Sequence, residues 1–264
     1  MVRLPYPISS SEFPEEVGAG QARHPVAVNI SLSPLDMTSA YKTGLLCQAP
    51  ISSVVIAGAG GFGMEIFDYL EQQALRVGVP VAGFIDDTSG APLPAGIHTS
   101  HLGKIDDFQP ADGQVVVVAL GSVSGRRAVL ERLWRRGVST PAFVADQALV
   151  SSSAQLGNGT VVCPFSIVNR NARLGDGVAV NVHCSVGHGA SVGDHSILSP
   201  YAALNGNATV GRDCFLGTRA TIYPNIRIGN GCVVDSHAGV RMDAGDRQMI
   251  ASRGNYLVNA LRTR

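Results

Sequence analysis

The chain has 264 residues with twenty basic and twenty acidic side chains, so its zero net charge gives no reason to expect nucleic acid or an anionic membrane as partner. A hydrophobic content of 45% suits one large or two small globular units. No apolar run is long enough to span a membrane, MVRLPYPISS lacks the apolar stretch of a secretion signal, and five cysteines without paired spacing predict a cytoplasmic protein.

Residues 1–50 mix Pro, Ser and isolated apolar residues without a period, and read as an N-terminal extension, poorly ordered by default. Within them, residues 26–32 have the composition of a strand without a clear place. Residues 51–147 alternate strand and helix, which predicts a small parallel sheet. Ser53–Ala57 reads as a buried strand, and Gly58-Ala59-Gly60-Gly61-Phe62-Gly63 follows as a GxGxxG match. A helix then carries Ile66, Phe67, Leu70, Ala74 and Val77 on one face. Strand Val81–Ile85 ends in Asp86-Asp87, and Val115–Leu120 leads to a second helix bearing Val129, Leu130, Leu133 and Trp134. Glycines after a first strand let the backbone approach a phosphate at the helix N-terminus, and an acidic residue further on reaches a ribose or base. About 95 residues are too few for a complete dinucleotide-binding domain, so one nucleotide-binding half is the better fit.

From Ala154 the chain falls into blocks of six: AQLGNG TVVCPF SIVNRN ARLGDG VAVNVH CSVGHG, and so on to AGVRMD at Asp243. The third residue is aliphatic in all fifteen blocks, and the first is small in thirteen, the exceptions being Val178 and Ile226. Two inward positions, two residues apart, define one face of a short strand. Three such faces close a triangular coil of eighteen residues, which predicts a left-handed parallel β-helix of about five coils over residues 148–243, followed by a tail over 244–264. Period six fits no α-helix. Cys184, Cys214 and Cys232 fall in the small inward slot and read as packing residues.

Four histidines lie in the repeat: His183, His188, His195 and His237. His188 stands between Gly187 and Gly189, and Gly206 follows eighteen residues later, one coil above it. A base beside a backbone N–H is the minimal equipment for acyl transfer: the imidazole takes a proton from the acceptor and the N–H stabilises the oxyanion. No Cys or Ser beside His188 calls for an acyl-enzyme.

The glycine loop, Asp86-Asp87, the hexapeptide repeat and this His–Gly pair together resemble the sugar acetyltransferases, both the N-acetyltransferases of UDP-4-amino-sugars and the sialic acid O-acetyltransferases. The resemblance spans about residues 52–243. It implies homotrimers with acetyl-CoA lying between neighbouring β-helices, and no metal. It implies His188 as general base, the amide of Gly206 on the thioester carbonyl with Asn205 beside it on the cofactor, and Gly58, Gly60, Gly63, Asp86 and Asp87 at the nucleotide or sugar end. N-acetylation of a nucleotide-linked amino-sugar leads, and O-acetylation of a sialic acid or related sugar follows. The chain departs from the family in three places. Gly189 stands where an Asp or Glu usually follows the histidine, Phe62 where a His is usual in the glycine loop, and the tail Gly254-Asn255-Tyr256-Leu257 lacks the usual proline. Arg247, Arg253 and Arg262 are candidates for the CoA phosphates, although basic tails are usually solvated.

Two rivals remain. The spacing His183-x4-His188 occurs in zinc enzymes of the γ-carbonic anhydrase type, which need three protein ligands. A non-enzymatic trimer that binds a nucleotide-sugar fits the missing carboxylate after His188.

Overall fold

The computed structural model describes residues 44–47, 49–88, 93–94 and 96–252. Most of the N-terminal extension, including the possible strand at 26–32, lies outside them, as do Arg253, Arg262 and the tail from 253 onwards.

The first unit is a four-stranded parallel sheet. Its strands are β2 (Ser53–Ala57), β3 (Val81–Ile85), β4 (Ser100–Gly103) and β5 (Gln114–Val118), in the order β4-β3-β2-β5. β1 (Leu45–Leu46) stands apart from it. The sequence gives little sign of β4, whose SHLG is mostly exposed and has no apolar alternation. Helix α1 (Gly61–Val77) buries Ile66, Phe67 and Leu70, and ends at Gly78, whose left-handed backbone (φ +73°) lets its N–H cap the Ala74 carbonyl. The fourth large residue on its buried face is Gln73, while Ala74 and Val77 are only partly covered. The Gln73 amide donates to the Val144 carbonyl (3.2 Å) and to Asp146 (2.9 Å), so the helix faces the β-helix as well as its own sheet. Helix α2 (Val123–Arg135) buries Val129, Leu130 and Leu133.

The second unit is a parallel β-helix. β6 (Ala142–Val144) is its first rung, pairing in parallel with Val161–Val162. On β6's other side β1 pairs antiparallel, Leu45 opposite Phe143, so the residues just before the sheet form a strand rather than an arm. From β6 the chain climbs through parallel ladders of seven, six and five short strands, ending at Met249–Ile250. These make about six coils, one more than the repeat suggests, because the irregular first and last rungs break the six-residue pattern. Partners are eighteen residues apart, as in Ser185 with Ala203 and Val186 with Leu204. The last coil is shorter: Val233 pairs with Met249, sixteen residues on. The third-position aliphatics and the small first-position residues fill a continuous core, with Cys184, Cys214 and Cys232 among them. This hexapeptide pattern fits the left-handed form of the fold.

Candidate active site

At the glycine loop, the chain leaves β2 through Gly58–Gly60 and enters α1. A β-carbon on Gly63 would lie 2.1 Å from the Gly58 carbonyl oxygen, and one on Gly58 (φ +109°) would lie 2.8 Å from that of Ala119. These two glycines allow the strand and helix ends to close on one another. Gly60 is different, since nothing lies within 4 Å of a β-carbon placed there. It begins α1 without a side-chain cap and without an acidic residue in the first turn, an open helix N-terminus suited to an anion. Asp86 reaches this loop, accepting the Ala59 N–H at 2.7 Å and the Thr88 N–H at 2.7 Å. Partial burial alone raises its pKa, but these hydrogen bonds and the Thr88 hydroxyl outweigh it and hold the carboxyl below its ordinary value. Asp87 turns elsewhere. It pairs with Arg132 at 2.5 Å and accepts the Ile105 N–H, and Arg132 is the main reason its pKa is low.

At the other end, His188 and Gly206 meet. A β-carbon on Gly206 would lie 2.5 Å from His188 Nε2 and 2.6 Å from its Cε1, so the imidazole lies against the bare α-carbon. The N–H of Gly206 makes no hydrogen bond among the described residues. Equivalent amides on another corner are capped from the coil above: Asn158 by Asp176, Asp176 by Asp194, and Arg212 by Asn230. Above Gly206 the residue is Pro224, whose ring has no acceptor to offer. His188 is exposed. The Asn205 amide nitrogen is taken by the Ile222 carbonyl at 3.1 Å, as that of Asn169 is by Val186 two coils below. No hydrogen bond, ion pair or ring contact among the described residues joins the His188 corner to the glycine loop.

The backbone sorts the four repeat histidines. His183, His195 and His237 hold left-handed conformations at φ +59°, +59° and +63°, a region Asn, Asp and His tolerate better than most residues, while His188 does not. His183 is stacked between Phe165 (5.0 Å) and Tyr201 (4.7 Å), and Arg219 lies over the far face of Tyr201. His195 packs on Trp134 at 5.8 Å. No three His, Cys, Asp or Glu side chains among the described residues of the single chain are placed to hold a metal ion. The five cysteines are free, and burial pushes the Cys184 thiol up to about 12 and those of Cys163 and Cys214 upward as well. Such thiols are poor nucleophiles at neutral pH.

One residue missed by sequence reasoning joins the two units. Arg126 is fully buried on α2, and donates to the carbonyls of Gly177 (2.7 Å), Gly159 (2.6 Å) and Val118. Two of these carbonyls belong to successive coils and the third to the end of β5. The signal was present: Arg126 falls on the apolar face with Val129, Leu130 and Leu133 at helical spacing. Beside it Leu130 and Trp134 sit on corner glycines, where a β-carbon on Gly159 or Gly177 would come within 2.6 Å of Leu130.

Residues 53–133 match the model of the PglD N-terminal domain, and residues 207–241 match the bacterial transferase hexapeptide (six repeats). The chain is a hexapeptide-repeat acyltransferase. The first match of this acyltransferase holds the glycine loop and Asp86, and the second begins directly after Gly206. Among solved structures it is similar to the acetyltransferase domain of PglB from Neisseria gonorrhoeae, at 26% identity over 76% of this chain and 97% of that one, with a TM-score of 0.70. A perosamine N-acetyltransferase from Caulobacter crescentus, solved with CoA and GDP-perosamine, is 26% identical over 79% of this chain and all of that one, with a TM-score of 0.69. WeeI from Acinetobacter baumannii is 25% identical over 77% and 97%, with a TM-score of 0.68. The PglB domain has also been solved with acetyl coenzyme A. No curated protein sequence matches this chain.

Proposed function

We propose that the chain transfers the acetyl group of acetyl-CoA to the amine of a nucleotide-linked amino-sugar, with His188 as general base. The observation that carries this reading is the pairing of an exposed imidazole with an unpaired backbone N–H, His188 against Gly206. The similar structures with acetyl coenzyme A, CoA and GDP-perosamine support the two substrates.

The acceptor ammonium first loses one proton to solvent. The free amine then attacks the thioester carbonyl carbon, and His188 Nε2 takes the second proton as the C–N bond forms. The tetrahedral oxyanion rests on the Gly206 N–H. On collapse the C–S bond breaks, and the imidazolium returns its proton to the departing sulfur, leaving CoA as a free thiol. No acyl-enzyme forms, in keeping with the buried, raised thiols. At the nucleotide end, the open Gly60 backbone and the α1 N-terminus receive phosphate. Gly58 and Gly63 set that turn, and Asp86 stands beside it for a ribose or base. Asp87 acts only indirectly, through Arg132.

His188 is exposed in the single chain, and the working enzyme is a homotrimer in which a neighbouring copy closes its corner. Five unpaired cysteines fit the reducing cytoplasm. The test is release of free thiol from acetyl-CoA against a panel of nucleotide-linked amino-sugars and sialic acids, with His188→Ala alongside. Release that needs an amino-sugar and falls about 10²–10⁴-fold in the variant supports the reading. Release only with a sialic acid would reassign the acceptor to oxygen, and none with any sugar would overturn acetyl transfer to these classes.

A further inference from the structure

We propose that the carboxamide oxygen of Asn207 orients the His188 imidazole, taking the part of an acceptor that the chain lacks at position 189. This rests on His188 as the base.

A histidine works as a general base only if its second nitrogen is held, since that bond fixes which nitrogen keeps the lone pair. His188 Nε2 lies against Gly206, so Nδ1 needs an acceptor. The next residue, Gly189, has no side chain. Its place is nonetheless filled, because a β-carbon on Gly189 would lie 2.4 Å from Asn207 Oδ1. Asn207 sits one coil up, and its backbone N–H donates to the His188 carbonyl at 2.9 Å. That bond sets the two residues side by side on one corner: the imidazole rises onto Gly206, and the carboxamide descends onto Gly189. Neither the imidazole of His188 nor the carboxamide of Asn207 makes a hydrogen bond among the described residues, so both are free to pair on this corner.

The arrangement is reciprocal. Gly189 has to be bare for Asn207 to come down, just as Gly206 has to be bare for His188 to come up. The nearest charged residue of the same column is Arg170, one coil below His188, whose carbonyl accepts the Gly189 N–H. In the working site Asn207 Oδ1 would accept Nδ1–H, which would leave the Nε2 lone pair for the acceptor amine.

The competing account is that Asn207 is there only for its left-handed backbone (φ +58°), as Asn171 is at the same corner two coils below. Glycine keeps that backbone and removes the carboxamide, so Asn207→Gly is the deciding variant and Asn171→Gly its matched control. Nitrogen NMR of the His188 ring reads the tautomer without any substrate. In the parent protein the Nδ1–H form is expected to predominate. Asn207→Gly should mix the two forms and lower kcat about 10–100-fold with KM for acetyl-CoA within twofold. Asn207→Asp should restore kcat and move the acid limb of the pH profile up by about one unit, because a carboxylate favours the imidazolium. Asn171→Gly should change neither. An unchanged tautomer in Asn207→Gly, or the same losses in Asn171→Gly, overturns the proposal. A tautomer shift in a protein that releases no thiol with any sugar would uphold the orientation and remove only the acetyl-transfer reading.

Discussion

The Nε of Arg126 donates a 2.7 Å hydrogen bond to the carbonyl of Gly177, and that one contact joins a helix of the first unit to a coil of the second. The guanidinium is wholly buried and its partners are carbonyls; no carboxylate pairs with it among the described residues. Burial lowers its pKa to about 10, so it remains cationic at neutral pH. Arg126→Ala would leave three buried carbonyls without donors at a junction where water is excluded. We expect a loss of about 3–5 kcal/mol, seen as a fall in Tm of roughly 10 °C. Arg126→Lys should recover less than half of it, since an ammonium cannot fork to three acceptors.

Gly206→Ala separates chemistry from stability. The three atoms nearest a β-carbon there all belong to the exposed His188 ring, and the backbone is not left-handed. The fold is expected to absorb the methyl group with Tm within about 2 °C, while the displaced imidazole lowers kcat by about 10²-fold or more. Thermal melts and thiol release on the same sample check both halves.

The two adjacent aspartates should behave differently. Asp86→Ala removes the acceptor of the Ala59 N–H and loosens the glycine loop, so KM for the nucleotide-sugar is expected to rise about tenfold, with kcat at saturation within twofold. Asp87→Ala breaks an exposed pair with Arg132 and should cost less than about 1 kcal/mol without changing KM.

His195 sets an acid limit. Burial at the junction, against Trp134, lowers its pKa below the ordinary histidine value despite the nearby carboxylates of Asp194 and Asp213. The unfolded chain therefore binds the extra proton more readily, and stability falls as pH drops below the unfolded pKa of about 6.5. His195→Asn, which tolerates the same left-handed backbone, should flatten the dependence of Tm on pH between 5 and 7.

The β-helix was legible because its period is written into consecutive residues: every aliphatic third position from Leu156 to Val240 points inward. The pairing of His188 with Gly206 follows from the same arithmetic, eighteen residues being one coil. What the period does not carry is which way a side chain leans. Asp86 and Asp87 are neighbours in sequence, yet one faces the glycine loop and the other Arg132. Asn207 looks like any corner asparagine until the space above Gly189 is measured. The strands β4 and β1 escaped because their pairing, not their composition, makes them strands.

The eighteen-residue coil also fixes which lengths of this tube are permissible. Above Gly206 the rungs repeat the same pairing until the shortened last coil, and the helix α2 holds the corners of Gly159 and Gly177 below it and reaches Asp213 above it through Arg127 at 3.2 Å. A segment of eighteen residues added there would lengthen the tube by about 4.8 Å and carry every later residue to the same face. A change that altered the number of faces would turn all that follows to the wrong side, whereas a corner can lose two residues with the pairing kept, as Val233 with Met249 shows. Growth and loss in such a scaffold come in whole coils, and the chemistry at His188 would be indifferent to their number.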